Sequence, residues 1–286
     1  MRKLASAFVF AGFLASCASE PENKQIDITR SPLAIESPAD SMSAEPYLFT
    51  DKNGIVFLSW IEKDSFNSTL KYSSLHNEKW SEPAVIASGN DWFVNWADYP
   101  VIATDGSDNM VSHFLQKSEK GTYTYDVKLT TSNDQGKSWS SPAILHDDGK
   151  KAEHGFVSIV PYGENYFISW LDGRNAAMEG GEGHHGGHHG QMTIRAAIVD
   201  KSGKKINEWE LDDRVCDCCQ TSAAITDNGP VVVYRDRSDS EIRDISIVRF
   251  VNGQWTAPKT IFADNWKIEG CPVNGPRIAE IGRAHV

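Results

Sequence analysis

The sequence predicts an all-β fold, a β-propeller made of four-stranded antiparallel blades. A short strand, a turn with Asp or Gly, and an apolar strand recur along the chain, with a period of roughly 54 to 65 residues. Each repeat continues with a third strand, a turn, a Trp and a fourth strand. No long segment shows the 3.6-residue periodicity of an amphipathic helix. Four short strands per repeat, joined by Gly, Asn and Asp turns, are typical of propeller blades.

The first half of the repeat occurs four times and begins a fifth time, at 45–60, 99–114, 156–170, 221–234 and 275–280. We therefore expect four blades and the first strand of a fifth. The second half of the repeat carries a Trp followed by Pro three residues later, as in Trp80–Pro83, Trp139–Pro142 and Trp255–Pro258, and Trp209 stands in a degenerate copy. Because Pro lacks an N–H, these segments fit edge strands.

The N-terminus predicts a lipoprotein signal peptide at residues 1–16. A charged start precedes an apolar run, Leu4 to Leu14, that is too short to span a membrane. The following Leu-Ala-Ser-Cys sequence ends at Cys17 and resembles a bacterial lipidation motif. An ordinary secretory signal with a chance Cys is the alternative. On the lipoprotein interpretation the mature chain is exported and held by lipid alone, and Ala18 after the Cys favours the outer membrane, facing the periplasm or the cell surface.

Residues 17–43 contain Ser, Pro, Glu and Asp with little periodicity, which predicts a flexible tether. The next 237 or so residues, 44–280, are long enough for one β-propeller domain. A formal net charge of -11 argues against a nucleic-acid partner. We expect a monomer.

One octapeptide, SNDQGKSW at Ser132–Trp139, predicts a hairpin corner. Ser132 and Asp134 can accept hydrogen bonds from nearby backbone N–H groups, and Gly136 supplies a positive φ. The octapeptide resembles the Asp-box, or bacterial neuraminidase repeat, of the sialidase-like β-propellers. An ordinary Asn/Asp/Gly turn is the alternative for the octapeptide alone, but the repeats around it favour the family.

The resemblance implies six blades in a complete propeller, so we expect the natural chain to continue beyond Glu280. The last six residues, 281–286, read IGRAHV and match the translation of a common sequencing-adapter read-through, which predicts a non-native tail. In such a propeller the Asp-box corner lies on one face and has a structural role. The blade links and the loops between second and third strands lie on the other face, where we expect the functional mouth.

The mouth face collects the candidate binding residues, which are Arg174, Arg235, Asp236, Arg237 and Arg277, with Asp98 and His154 nearby. The resemblance implies three arginines that hold a sialic acid carboxylate, a Tyr–Glu nucleophile pair and an Asp acid/base. The family's Arg-Ile-Pro motif is absent, so no catalytic residue can be assigned. The alternative is that the arginines are solvated or paired with Asp172, Asp236 and Asp239.

Four cysteines are predicted to form one cluster at this mouth. Cys216, Cys218 and Cys219 lie in the link before the fourth blade, and Cys271 lies in the equivalent link before the fifth. Two disulfides and a soft-metal site for Cu(I) or Zn²⁺ both fit them. A Gly-rich loop adds four metal-binding candidates, His184, His185, His188 and His189, and no cofactor follows with certainty from the sequence.

Together these features predict an exported, lipid-anchored, sialidase-like propeller that recognises glycans. Exo-sialidase-type glycoside hydrolysis is left open, because the catalytic pattern is not met. The alternative is a non-catalytic metal-binding or interaction propeller that uses the Cys and His loops.

Overall fold

The computed structural model describes residues 33–176 and 190–281. The chain divides into two units, 1–35 and 36–286, and all the strands described belong to the second. Cys17, the signal peptide, most of the tether, the four loop histidines His184, His185, His188 and His189, and the tail after Ile281 lie outside the described residues. Within those residues there is no helix that could cross a membrane.

Four antiparallel sheets confirm the predicted propeller blades. Each blade runs from its first strand to an edge strand, which is short or broken in every blade except the third. The first blade contains β1 (Ser43–Thr50), β2 (Val56–Lys63), β3 (Ser68–His76), β4 (Lys79–Trp80) and β5 (Ala84–Gly89). The second contains β6 (Ile102–Thr104), β7 (Met110–Lys117), β8 (Tyr125–Ser132) and β9 (Ala143–Ile144). The third contains β10 (His154–Tyr162), β11 (Asn165–Asp172), β12 (Thr193–Val199) and β13 (Lys205–Asp212). The fourth contains β14 (Ser222–Thr226), β15 (Gly229–Arg235), β16 (Ile245–Val251), β17 (Gln254–Trp255) and β18 (Lys259–Thr260).

The edge of the first and fourth blades is broken in the Trp-Ser/Thr-x-Pro segment. Strand β3 therefore pairs with both β4 and β5, and β16 pairs with both β17 and β18. At the break, Ser81 N–H donates to the Ser74 carbonyl at 2.8 Å, and Ser81 Oγ accepts from Ser74 N–H at 3.1 Å. The same two bonds join Ser140 to Thr131 and Thr256 to Arg249. The hydroxyl thus replaces ladder bonds just before the proline, which explains why Ser or Thr follows the Trp in the repeat.

The hydrophobic core lies in layers between neighbouring blades. Strand β11 shows this best, because both of its faces are covered. Phe167 and Leu171 pack toward the fourth blade, whereas Ile168 and Trp170 pack toward the second. The first strands contact one another in the order β1, β6, β10 and β14. The starts of these first strands therefore converge, and they determine where a mouth can form.

The corner after β8 is held by local hydrogen bonds. Ser132 Oγ accepts from Gly136 N–H at 2.9 Å and donates to Asp134 Oδ1 at 2.7 Å. Asp134 Oδ1 also accepts from Ser138 N–H at 2.9 Å. Gly136 has φ +79°, and a Cβ added there would lie 2.0 Å from the hydroxyl of Tyr72 in the first blade. The corner therefore needs glycine both for its backbone conformation and for its contact with the neighbouring blade.

Residues 275–280, predicted as the first strand of a fifth blade, form no strand. Instead, Gly275 N–H donates to Gln220 Oε1 at 3.0 Å, and Ile278 N–H donates to Ser222 Oγ at 3.2 Å. The segment thus follows the start of β14 through side chains. A strand requires a hydrogen-bonded partner strand, and the described residues supply none for this segment.

Candidate functional site

Arg174, predicted to bind ligand, is engaged in ion pairs. Its Nε and Nη2 each lie 2.8 Å from one oxygen of Asp172, a bidentate arrangement. Its guanidinium also lies 3.3 Å from Asp148 and 3.3 Å from Glu208. The alternative prediction, that the arginine is paired with a carboxylate, therefore applies to Arg174. Its guanidinium is engaged by protein carboxylates and is not available to a ligand carboxylate.

Arg237 and Asp236 are also engaged, but with partners other than those predicted. Arg237 pairs with Asp217 and with Glu241, each at 3.0 Å. Asp236 accepts a hydrogen bond from the hydroxyl of Ser246 at 3.0 Å. The predicted partner Asp239 instead pairs with Arg214, which the sequence analysis did not consider.

Arg235 is buried and bonds to main-chain oxygens. Its Nε and Nη2 donate to the Asn274 carbonyl at 2.8 and 2.6 Å, and its guanidinium lies 4.6 Å from the ring centroid of Trp266. Arg235 therefore holds the segment after the fourth blade against that blade. This contact stabilises the link and leaves little of the guanidinium for a ligand.

Arg277 differs from the other three arginines. Its guanidinium makes no ion pair or hydrogen bond among residues 33–176 and 190–281, and lies 5.3 Å from the ring centroid of Tyr99. Tyr47 stacks on Tyr99 with ring centroids 5.6 Å apart. Burial lowers the pKa of Arg277 below its ordinary value, while nearby Tyr47 raises it. Arg277 is thus an exposed cation that lacks a carboxylate partner among the described residues.

Two buried carboxyl groups lie in the same region, Asp98, which was predicted to lie near the mouth, and Glu153, which was not predicted. Asp98 Oδ1 accepts from Phe156 N–H at 2.8 Å, whereas its Oδ2 is buried without a hydrogen-bond partner. Glu153 Oε1 accepts from the Tyr125 hydroxyl at 2.9 Å. Burial raises the pKa of Asp98 well above its ordinary range, and the charge of Glu153 adds to the shift. Burial also raises the pKa of Glu153 to about 8.

An acidic residue lies near the start of each of the first three first strands. Glu45 is within β1, Glu153 directly precedes β10, and Asp98 lies shortly before β6. Glu45 and Phe156 have φ of 58° and 54°, and both lie at register shifts in β1 and β10. Such bulges redirect side chains at strand ends. The signal in the sequence was an acidic residue near the start of each of these strands, at a position that differs between the repeats.

A shallow cleft lies beside these groups, lined by Ala97, Asp98, Tyr99, Phe156, Val157 and Gln220. Gln220 closes one side, because its Nε2 donates to the Ala97 carbonyl at 2.7 Å across blades. Next to the cleft in sequence, Trp96 is 72% exposed. An exposed indole beside polar groups suits stacking against a sugar ring.

The structure brings the four cysteines together. Cys218 and Cys271 form a disulfide across 53 residues. Cys216 and Cys219 are free and buried, with their sulfurs 3.4 Å apart. The hydrogen bond from Cys219 lowers the pKa of Cys216, and the Arg243 guanidinium, 3.1 Å from Cys216 Sγ, acts in the same direction. One disulfide and one thiol pair therefore lie together, instead of two disulfides.

Comparison with known proteins gives the following result. The sequence profile of the BNR repeat-like domain family matches residues 69–265. No curated protein matches the chain. Among solved structures, the chain is similar to the α-L-arabinanase of Penicillium chrysogenum complexed with arabinobiose, with 12% identity over 74% of this chain and 64% of that one and a TM-score of 0.48.

Two further structures show similar values. The α-L-arabinofuranosidase of Lactobacillus brevis has 9% identity, a TM-score of 0.45 and coverage of 75% of this chain and 72% of that one. A neuraminidase-like protein from A/bat/Guatemala has 10% identity, a TM-score of 0.49 and coverage of 75% and 53%. The chain thus spans less than two thirds of the arabinanase and of the neuraminidase-like protein.

Proposed function

This chain belongs to the BNR repeat-like domain family, and on that premise we propose that it recognises a glycan at the mouth where the first strands begin. One observation carries the proposal: Arg277, which pairs with no carboxylate among the described residues, lies against the ring of Tyr99, next in sequence to Asp98, and both Asp98 and Glu153 have raised pKa values. Neutral carboxyl groups both donate and accept hydrogen bonds, as sugar hydroxyls do. An unpaired guanidinium suits the carboxylate of an acidic sugar.

The same groups bear on whether the protein is also a hydrolase. A carboxyl group with a raised pKa is suited to act as a general acid, and burial raises the pKa of Asp98. Tyr125 and Glu153 provide a Tyr–Glu pair, but Tyr125 is only 1% exposed and burial raises its pKa well above the ordinary value. A nucleophile needs the opposite shift and access to substrate. We therefore propose recognition as the function, and exo-sialidase-type hydrolysis is a further outcome of the test.

The test is binding of 3′-sialyllactose and of lactose, measured by calorimetry. Arg277→Gln is expected to remove the preference for the sialylated sugar, and Trp96→Ala to weaken both interactions about tenfold or more. Ile206→Ala is the control, because Ile206 is also exposed but lies on the edge strand β13. Binding of neither sugar, nor of any oligosaccharide on an array, would reject the proposal. Release of free sialic acid would extend it to catalysis.

We also propose that the protein is exported and anchored through a lipid on Cys17, in the outer membrane. The support is the short apolar run followed by the lipidation motif. Cells that express wild-type or Cys17→Ala protein are labelled with radioactive fatty acid. Label that persists in the variant would contradict the proposal.

A second candidate function is binding of a soft metal ion by the thiols. The observation that favours it is the free pair Cys216 and Cys219, whose sulfurs lie 3.4 Å apart next to the basic Arg243. Thiolates are the preferred ligands of Cu(I) and Zn²⁺. Thiol titration with and without Cu(I), in wild-type and Cys216→Ser proteins, tests this function. A second disulfide, between Cys216 and Cys219, with no bound metal would exclude it.

A further inference from the structure

A buried cluster of histidines and aspartates lies between the second and third blades and has no role in the proposed function. The rings of His146 and His154 stack, with centroids 3.6 Å apart and planes at 5°. His146 lies in the link after β9, and His154 begins β10. Their side chains are 3% and 0% exposed. Two imidazoles are thus held together with almost no access to water.

One carboxylate, Asp148, contacts both rings. Its Oδ1 lies 3.2 Å from His146 Nδ1, and its Oδ2 lies 2.9 Å from His154 Nε2. Because a carboxylate only accepts, each of these nitrogens carries the proton of the contact. A neutral imidazole protonated there has its lone pair on the other nitrogen. Carboxylates that fix the orientation and tautomer of metal-binding histidines act in this way.

The two remaining nitrogens face oxygens that cannot donate. His146 Nε2 is buried, makes no hydrogen bond and lies 3.5 Å from Asp126 Oδ1. His154 Nδ1 lies 3.3 Å from the main-chain oxygen of Tyr125. Each contact brings a nitrogen lone pair toward an oxygen lone pair. Such an arrangement is unfavourable in a buried place unless positive charge lies between the atoms.

The cluster has more negative than positive charge. Asp126, Asp148 and Asp172 supply three carboxylates, and Arg174 is the guanidinium that contacts two of them. Glu208, the other carboxylate on Arg174, has two further cationic partners. Protonation of both imidazoles would balance the charge, but it would place two like charges 3.6 Å apart. One divalent cation would balance it without that repulsion.

We propose that Asp126, His146 and His154 bind one divalent transition-metal cation, with Asp148 as the hydrogen-bond acceptor that orients both rings. The three ligand atoms all lie within 4.8 Å of one another. Imidazole nitrogen and carboxylate oxygen are ligands that suit Zn²⁺. Asp172 stays with Arg174 and is not a ligand.

The bound cation joins two blades. Asp126 lies on β8 of the second blade, and His154 begins β10 of the third. Their sequence neighbours Tyr125 and Glu153 form the hydrogen-bonded pair of the mouth. Adjacent residues along extended chain point to opposite sides. The cation therefore lies on the side of the backbone opposite to the Tyr125 and Glu153 side chains and fixes the backbone that carries them. The site is thus structural and does not contact a ligand at the mouth.

The experiment uses the full chain with the other metal-binding candidates removed. The background carries Cys216→Ser and Cys219→Ser, with the four loop histidines replaced by Ala. After chelation and dialysis, the protein is titrated with Zn²⁺ by calorimetry, and bound zinc is counted by mass spectrometry. We expect one Zn²⁺ per chain and a higher thermal midpoint, because a ligand that binds only the native state stabilises it. A folded background protein that binds no Zn²⁺ would overturn the proposal.

Variants in this background then assign the ligands. Asp126→Asn and His146→Asn are expected to lose binding by a hundredfold or more, and Asp148→Asn by tenfold to a hundredfold. His113→Asn is the control, because His113 is equally buried but its Nδ1 accepts from Val101 N–H at 3.1 Å. Stoichiometric binding that is unchanged in both Asp126→Asn and His146→Asn would also overturn the proposal. Circular dichroism identifies any variant that does not fold. If Asp126→Asn and His146→Asn both fail to fold, the Zn²⁺ affinity of Asp148→Asn decides whether the proposal stands.

Discussion

Strand β8 begins at Tyr125 and ends at Ser132, and its two ends are held by contacts of different kinds. At the Ser132 end, the hydrogen bonds of the Ser132 and Asp134 side chains join residues at most four positions apart. At the Tyr125 end, the partner Glu153 is 28 positions away. The side-chain bonds at the first end lie within one octapeptide. The Tyr125–Glu153 bond at the second end forms only when the neighbouring blade is in place. Mutations at the Ser132 end should therefore change the stability of the corner, whereas mutations at the Tyr125 end should change the contact between blades at the mouth.

The largest effect is expected from Gly136→Ala, at the local end. The new Cβ would lie 2.0 Å from the Tyr72 hydroxyl, in a backbone with φ +79°. We expect a loss of about 2–4 kcal/mol in the free energy of unfolding, measured with urea. Gly163→Ala is the matched control, because φ there is +59° and nothing lies within 4 Å. It should lose only about 1 kcal/mol. Equal losses would show that the contact between blades has no importance at this corner.

Ser132→Ala should have the next largest effect. The substitution removes an acceptor for Gly136 N–H and a donor to Asp134 while the site stays buried. We expect a loss of about 1–3 kcal/mol in the free energy of unfolding. Binding of 3′-sialyllactose at 25 °C should be unchanged, since the mouth lies at the other end of β8. Weakened binding in folded protein would mean that the two ends are coupled.

The mouth end should respond to pH. The pKa of Glu153 is raised to about 8 in the folded state, so its contribution to stability is complete below about 4.5 and is lost as pH rises through 8. One such proton gives a slope of about 1.4 kcal/mol per pH unit in the free energy of unfolding. Asp98, also raised, adds to the slope with the same sign. Glu153→Gln should flatten this dependence, whereas Glu82→Gln, an exposed change in the first blade's edge, should leave it intact.

The smallest effects are expected from two Tyr→Phe variants, one at each end, and Tyr125→Phe removes only the hydroxyl that bonds Glu153. The ring keeps its stacking on Phe93, with centroids 4.1 Å apart. We expect a loss of about 1 kcal/mol in the free energy of unfolding. Tyr72→Phe, at the local end, loses a long contact of 3.4 Å with the Gln135 carbonyl and should change stability by less than about 0.5 kcal/mol. A reversed order of the two variants would contradict this ranking.

The comparison also explains what could be predicted from the sequence. Blades, edge strands and the Ser132 corner follow from patterns a few residues long, because their hydrogen bonds join near neighbours. The meeting of Cys218 with Cys271 also followed, since equivalent positions of adjacent repeats lie close together. These predictions need only the repeat and its strand order.

The partners of the mouth residues did not follow in the same way. Arg237 pairs with Asp217 and Glu241, not with the nearest acidic residues in sequence. Which carboxylate an arginine meets depends on the rotation of one blade against another and on side-chain packing. The cluster at His146 and His154 escaped for the same reason, because its members come from a link and from strands of two blades. The signal that the sequence offered was an acidic residue near the start of the first strand in each of the first three blades, Glu45, Asp98 and Glu153.

The disulfide has a mechanical consequence. Cys218 and Cys271 enclose the whole fourth blade in a covalent loop of 53 residues. A force applied to the two ends of the chain passes through the sulfurs and bypasses that blade. In a pulling experiment, on the order of 180 Å of extended chain would then not contribute to the measured extension until a reductant is added. A protease that cuts within the loop would likewise leave both fragments attached.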